Sequence, residues 1–343
     1  MKALVLKGYH DLAVEDFPEP AFTEDSVKIA VYYGGLCGTD LHKYDGKGGS
    51  HGIHYPVPLG HEIAGVVEKV GANVKNFKPG DRVTADPNWN CGKCYFCRNG
   101  MPHMCENGKG VVKGFAEYIC PPESNVYHIP DNLSLKDASM TEPLSCCVHG
   151  IDQLDVQVGQ TVLLIGMGAI GTMMLQLLRL TGANQIIVVE TVEEKRELAF
   201  SLGATLFINP LKEDVKEVIK AAGIPNVDRV IECVGAKVTI ENALDYAGKC
   251  ATVVLFGLGN PENPSAFNQY AAFQKELTIK NSFVNPGAMQ RSVDLLASGK
   301  IDVNAFVSKV MTLEELKSEI EHPVYSRKGK VIAQIRDEKG NVL

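Results

Sequence analysis

A chain of 343 residues with 45% hydrophobic and 22% charged residues has the composition of a soluble globular protein and is long enough for two domains. Its formal net charge of −7 at pH 7 argues against a nucleic-acid partner, and no run of about twenty apolar residues is present to span a membrane. The opening stretch carries Lys2, Lys7, Asp11, Glu15 and Asp16 without a continuous apolar segment, so it reads as a folded strand region and not a signal peptide. Ten cysteines without an export signal point to metal binding in a reducing cytoplasm rather than to disulfides.

The first part of the chain predicts short strands over 3–6, 27–33, 63–70, 82–85, 116–120 and 125–129, separated by Gly, Pro and Asn clusters. This spacing suggests a small barrel or a pair of sheets. Cys37 stands just past one predicted strand, and His61 and Glu62 begin another. Thiolate, imidazole and carboxylate are good zinc ligands, and a catalytic zinc takes three from the protein and keeps one position open. Each of the three taken alone has an ordinary structural explanation, Cys37 as a small buried hydrophobe and His61 as a satisfied core histidine.

Cys91, Cys94, Cys97 and Cys105 follow as C-x2-C-x2-C-x7-C. Four thiolates at this spacing can close a tetrahedron around Zn²⁺ with no open position, the pattern of a structural site that staples a loop. An iron–sulfur cluster also accepts such a run, although the long final gap and the lack of a following proline suit it less well.

Ser134 is placed to cap a helix through Ala138, and from about residue 150 strands and helices alternate. Strands are predicted over 162–165, 186–190, 206–208, 229–234, 252–256 and 277–280, with helices such as 193–202 and 238–246 between them. These make a doubly wound parallel sheet of six strands. Its first strand runs into Gly166-Met167-Gly168-Ala169-Ile170-Gly171 and a helix over 169–180. In this G-x-G-x-x-G spacing the first glycine allows a tight turn, the second lets a pyrophosphate approach the backbone, and the third packs helix on strand. Gly166, Gly168, Ala169, Ile170 and Gly171 are thus candidate cofactor contacts at a helix N-terminus. Glu190, nineteen residues after Gly171, stands where an acid binds the ribose hydroxyls of NAD and repels the extra phosphate of NADP. Helices over 288–298 and 313–322 and a strand over 330–336 complete the chain. The expected division is a domain of residues 1–150 and 285–343 with a dinucleotide-binding domain, 151–284, inserted in it.

The joint pattern resembles the zinc-containing medium-chain alcohol and polyol dehydrogenases across essentially the whole chain. It rests on G-x-C-G-T-D-x-H at Gly35 to His42, G-H-E at Gly60 to Glu62, G-D-R-V at Gly80 to Val83, the four-cysteine lobe, G-F-A-E-Y at Gly114 to Tyr118, E-P-L at Glu142 to Leu144 and the glycine turn, in that order. The resemblance implies a GroES-like catalytic domain, a Rossmann domain and an active site in the cleft between them. It implies one catalytic zinc held by Cys37, His61 and Glu62, one structural zinc, NAD, and a proton relay through Thr39 and His42. Glu142 falls where ethanol-type members have a cysteine ligand and sorbitol-type members a glutamate, as a ligand directly or through water. That choice favours a polyol or sugar alcohol over simple alcohols. A homo-oligomer, dimer or tetramer, is implied by the resemblance alone.

Other residues are given smaller parts. Asp40 is expected to orient its turn. Cys146, Cys147 and His149, on a helix after Glu142, and Cys120, Cys233 and Cys250 are expected in structural roles, with Cys146 able to face the nicotinamide. His51 and His54 read as solvated loop residues. The segment between Cys105 and Phe115 departs from the family pattern, since Lys113 replaces the first of the usual two glycines before the phenylalanine and the loop is short; its Lys109 and Lys113 could meet a substrate phosphate or form a solvated charge pair. The expected activity is oxidation of a secondary hydroxyl of a polyol, free or phosphorylated, to a ketone. L-threonine 3-dehydrogenase is the alternative enzyme, and a non-catalytic zinc- and nucleotide-binding sensor is the alternative of another class.

Overall fold

The computed structural model describes residues 1–47, 52 and 54–343, so His51 lies outside the described residues. The chain forms two compact units, one of Met1–Ser145 with Pro286–Leu343 and the other Cys146–Asn285. Among the described residues no helix is long and apolar enough to cross a membrane.

The first unit is built on a seven-stranded sheet in which Val27–Gly35 is central. It pairs antiparallel with Glu62–Val70 on one side and Lys330–Gln334 on the other, with Gly35 opposite both Glu62 and Ile332. The strand alternates buried and half-buried residues, with Val27, Ile29 and Val31 fully buried in the core beside Leu4, Leu6, Ile63 and Phe115. The other strands of this sheet are Arg82–Ala85, Val126–His128, Tyr118–Ile119 and Val307–Met311. A second sheet of three strands pairs Lys2–Gly8 with Asp11–Asp16 and Val57–Pro58. Barrel-like closure around an apolar interior is what short strands of this alternation produce. Ser134 accepts the Asp137 N–H at 3.0 Å and caps Leu135–Ala138.

The second unit is a six-stranded parallel sheet. Thr161–Ile165 lies at its centre between Gln185–Val189, which is followed outward by Leu206–Ile208, and Arg229–Glu232, followed by Thr252–Leu255 and Thr278–Asn281. Counted in chain order this is 3-2-1-4-5-6, the arrangement of the dinucleotide-binding fold. All of Thr161–Ile165 is buried, as a strand covered on both faces requires.

Candidate active site

Cys37 follows the strand Val27–Gly35 and stands at the N-cap of the helix Gly38–Tyr44. Because Gly35 pairs with Glu62, strand register brings His61 and Glu62 beside Cys37. One ligand atom from each of Cys37, His61 and Glu62 falls within 4.8 Å of the others. Asp40, fully buried, holds both sides of this group: its Oδ2 accepts the Cys37 N–H at 3.1 Å and its Oδ1 the Gly60 N–H at 3.0 Å. His61 Nδ1 lies 3.8 Å from the same Oδ1. The orienting part expected of Asp40 is the one its bonds describe.

The electrostatics of the group favour a cation. Burial works against charge on His61, yet the Cys37 sulfur and the Asp40 carboxylate raise its pKa well above the ordinary imidazole range. Asp40 in turn is held below the carboxylate range against its burial, chiefly by His61. A divalent cation held by the three donors would take the place of a proton on His61. Glu62 supplies a second sign. Its Oε1 accepts from Lys330 Nζ at 2.5 Å, while Oε2, also buried, has no hydrogen-bond partner among the described residues. A buried carboxylate oxygen without a donor fits a metal, and a sulfur, a nitrogen and an oxygen make a set that zinc accepts.

Two neighbours shape this pocket. A Cβ added to Gly35 would collide with Glu62 Oε2 and stand 2.7 Å from Met140 Cε, so the strand end must be glycine for the carboxylate to lie against it. Glu142, near the start of the helix Thr141–Leu154, is buried, and burial raises its pKa to about 7, with His61 opposing and Glu62 adding to the rise. Its oxygens are not in the group of three, so the four expected zinc residues divide into three that converge and one acid within electrostatic reach. Thr39 and His42 sit three positions apart on the helix Gly38–Tyr44, both partly buried. Lys330, buried at the head of its strand, was not anticipated; its only sequence signal is a lysine opening the apolar run Val331-Ile332-Ala333.

The sulfurs of Cys91, Cys94, Cys97 and Cys105 also lie within 4.8 Å of one another, and none is in a disulfide. Cys94 Sγ is 3.5 Å from Cys97 Sγ and 3.9 Å from Cys105 Sγ, and Cys105 Sγ is 3.5 Å from Cys91 Sγ. The Lys93 N–H leads the groups that draw Cys91 down to about 6, while burial and the neighbouring sulfurs push Cys97 up to about 12. Four sulfurs this close ionise together only around a cation, the arrangement of a closed zinc site. Lys109 stands beside this lobe, its ammonium 5.9 Å from the centre of the Trp89 ring.

In the second unit Gly166 has φ of 87°, a left-handed conformation suited to glycine, and its N–H donates to Val189 O at 2.9 Å. A Cβ on Gly171 would overlap Gly166 O, so helix and turn touch through bare backbone. Gly168 caps the helix Ala169–Leu178 with open space at its Cα, and Ala169 and Ile170 are partly exposed. A helix start leaves its first N–H groups without intrahelical acceptors and favours an anion. Glu190 reaches back to this turn: Oε2 accepts the Met167 N–H at 2.7 Å and Oε1 the Val192 N–H at 3.0 Å. Lys195, also unanticipated, donates to Met167 O at 2.8 Å and lies 3.7 Å from Glu190 Oε2. Cys147 is buried with His149, Cys120, Cys146 and Cys233 are partly buried, and Cys250 and His54 are exposed.

Among known proteins, residues 23–131 match the family described as Alcohol dehydrogenase GroES-like domain, and residues 169–298 match Zinc-binding dehydrogenase. Sorbitol dehydrogenase of Bacillus subtilis is 31% identical over 94% of this chain and 93% of its own. L-Threonine 3-dehydrogenase of Caldanaerobacter subterraneus is 36% identical over 96% of this chain and 97% of its own. A crystal structure from Sinorhizobium meliloti, described as a zinc-binding dehydrogenase bound to NADP, superposes with a TM-score of 0.89 at 32% identity, covering 97% of this chain and 98% of that one.

Proposed function

The chain belongs to the zinc-type medium-chain alcohol and polyol dehydrogenase family, oxidoreductases acting on CH–OH groups, and from that premise we propose that it oxidises a secondary hydroxyl of a polyol or sugar alcohol to a ketone, with NAD as hydride acceptor. The convergence of Cys37, His61 and Glu62, with Glu62 Oε2 left without a donor among the described residues, is the observation that carries this reading. These three residues would hold one zinc ion and Cys91, Cys94, Cys97 and Cys105 another. When bound, the first zinc supplies Lewis acidity that brings a coordinated hydroxyl toward ionisation near neutral pH.

The chain's own residues do the rest. Thr39 accepts the hydroxyl proton and passes it toward His42, one turn along the same helix. Asp40 holds His61 and the Cys37 backbone in place, which fixes donor geometry before substrate arrives. Glu142, ionising near neutrality, serves as a further acid beside the group, as ligand or through water. In the second unit Gly166, Gly168, Ala169, Ile170 and Gly171 receive the pyrophosphate. Glu190 accepts the ribose hydroxyls, and its charge disfavours a 2′-phosphate, which supports NAD over the NADP held by the Sinorhizobium protein.

The 36% identity to an L-threonine 3-dehydrogenase favours that activity as the second reading. NADH absorbance measured over a panel of pentitols, hexitols, simple alcohols and L-threonine separates the two: turnover of L-threonine and of no polyol overturns the first. Cys37→Ser should abolish turnover and remove one of two zinc equivalents while NAD binding stays; the finding of one zinc in the unsubstituted protein would remove the catalytic assignment. A homo-oligomer in a reducing cytoplasm is part of the same reading. Association is supported by the edge strand Thr278–Asn281, with Ile279 exposed on it and Phe283 exposed just after it, and sedimentation tests it.

A further inference from the structure

Glu232 ends the strand Arg229–Glu232 of the second unit and is fully buried. Strand register sets it between Ile165, the residue before the glycine turn, and Leu255. A buried carboxylate is costly unless its oxygens are hydrogen-bonded, and here a single loop supplies the donors. Oε1 accepts the Val234 N–H at 2.8 Å, the Gly235 N–H at 2.9 Å and the Thr239 hydroxyl at 2.7 Å, and Oε2 faces the Gly235 N–H at 3.2 Å. Among the described residues no cation pairs with it. The backbone converges on the same point. The Glu232 carbonyl accepts the Phe256 and Gly257 N–H groups, each at 2.9 Å, and the Cys233 N–H donates to Ile165 O at 2.9 Å. The carboxyl ends of three neighbouring strands are therefore tied together around one side chain. Charge-assisted bonds are strong, and a fully satisfied buried network rigidifies what it holds.

What this network holds is Val234. A Cβ on Gly166 would collide with Val234 Cγ2, so the loop lies directly on the first glycine of the turn. Half of the Val234 side chain is nevertheless open to solvent, at 50% exposure, and Leu258 after the next strand is 77% exposed. A Cβ on Gly235 would stand 2.5 Å from Leu258 O, which brings the two loops into contact. The strand order 3-2-1-4-5-6 reverses between Thr161–Ile165 and Arg229–Glu232, and such sheets bind ligands in the crevice outside the strand ends at that reversal. The half of the sheet bearing Glu190 takes the adenosine, which leaves the half beginning with Arg229–Glu232 for the other nucleotide. Apolar side chains exposed in that crevice offer a planar ring a face to lie on.

We propose that Glu232 is a positioning residue for the cofactor: it fixes Val234 against the glycine turn and so shapes the seat of the nicotinamide half of the dinucleotide. The inference rests on the dehydrogenase reading above and gives Glu232 no contact with the reacting atoms. Its carboxylate acts through the Val234 and Gly235 N–H groups, and Val234 is the part that meets the ligand. Supporting groups held by buried hydrogen bonds preorganise a site before its ligand arrives, and loosening them weakens binding without removing any direct contact.

The test uses the zinc-loaded protein with NAD and 5′-AMP as probes, affinity being read by titration calorimetry. AMP occupies the adenosine half alone. Glu232→Gln keeps the shape of the side chain but loses its charge, and should weaken NAD binding about tenfold. Val234→Ala leaves the carboxylate and its bonds in place and should weaken NAD binding about threefold or more. In both variants AMP affinity should stay at the starting value, because Glu190 and its surroundings are untouched. Unchanged NAD affinity in either variant overturns the inference. Equal losses of NAD and AMP affinity also overturn it, since they make Glu232 a support of the whole unit and not of one half of the crevice. If Glu232→Gln fails to fold, Val234→Ala decides alone, its change being at an exposed side chain. An unsubstituted protein that binds neither NAD nor NADP would refute the dehydrogenase reading and this inference with it. Normal binding in that protein with no selective loss in the variants would refute the inference alone.

Discussion

Lys330 Nζ lies 2.5 Å from Glu62 Oε1, and the two residues are 268 positions apart in the chain. Both are buried, and Glu62, followed by Cys37, lifts the Lys330 pKa above the ordinary lysine range against the effect of burial. This contact ties the last strand of the first unit to the carboxylate whose other oxygen is free for metal. Breaking a buried pair from one side leaves an uncompensated charge and is strongly destabilising. Lys330→Met should therefore lower unfolding stability in urea by about 3–5 kcal/mol, and Lys330→Arg by clearly less. Equal losses in the two variants would show that packing, not charge, is what Lys330 supplies.

The glycine at the end of the central strand makes a separate test. In Gly35→Ala the new methyl group meets Glu62 Oε2 and Met140, so the carboxylate must turn away from Cys37 and His61. The expected result is loss of one zinc equivalent and at least a hundredfold of activity, with the four-cysteine site still filled. Overpacking of this kind costs about 1–3 kcal/mol, so the protein should remain folded at 25 °C. Full retention of both zinc ions by plasma emission analysis would refute the assigned geometry.

Glu142 gives a pH dependence whose sign is set by its raised pKa. Its folded value of about 7 exceeds the ordinary 4.5, so the metal-free fold binds this proton more tightly than the unfolded chain does. The stability this contributes is full below the ordinary value and is lost as pH rises through about 7. Urea midpoints of metal-stripped protein should fall from about pH 5 to about pH 7.5, and Glu142→Gln should flatten part of that fall. His61 adds a slope of the same sign, because the stability contributed by its raised pKa is likewise lost with rising pH, so the comparison with the variant is what isolates Glu142. Parallel curves for the two proteins would exclude it.

Cofactor choice should follow Glu190. In Glu190→Ser the Met167 N–H of the glycine turn loses its acceptor and the ribose site loses its charge. A charge-assisted hydrogen bond contributes about 1.5–3 kcal/mol, so kcat/KM with NAD should fall roughly ten- to a hundredfold. With NADP it should rise or hold, aided by Lys195, which already lies 3.7 Å from the carboxylate. A preference for NADP in the unsubstituted protein would overturn the role given to Glu190.

Much of this was legible before any coordinates, for physical reasons that differ along the chain. The strand at 162–165 stands out because a parallel strand covered on both faces is a continuous apolar run, here between Gly159 and Gly166. In the first unit the signal weakens. Asp11–Asp16 begins and ends on aspartate and was missed, as was Gly38–Tyr44, seven residues opening on Gly-Thr-Asp. The strand expected over 116–120 shrinks to Tyr118–Ile119, because Ala116 is drawn away to a lone bridge with Ala3. Val307–Met311 was hidden by Ser308 and Lys309, tolerable in a strand at the sheet edge. Cys37, His61 and Glu62 could be picked out together because short motifs mark them. Lys330 could not, since only strand pairing brings it to the site.

The pairing of Glu62 with Lys330 also sets an order of events on the ribosome. At about 5–20 residues per second, roughly 15 to 50 s pass between the synthesis of the acid and that of its counter-charge, and the whole second unit is made in the interval. Throughout that time the central strand Val27–Gly35 lacks the neighbour Lys330–Gln334 on one side, and the Glu62 carboxylate has to stay hydrated. A nascent chain halted before Lys330 would carry all three converging donors and still be unable to close the centre around them.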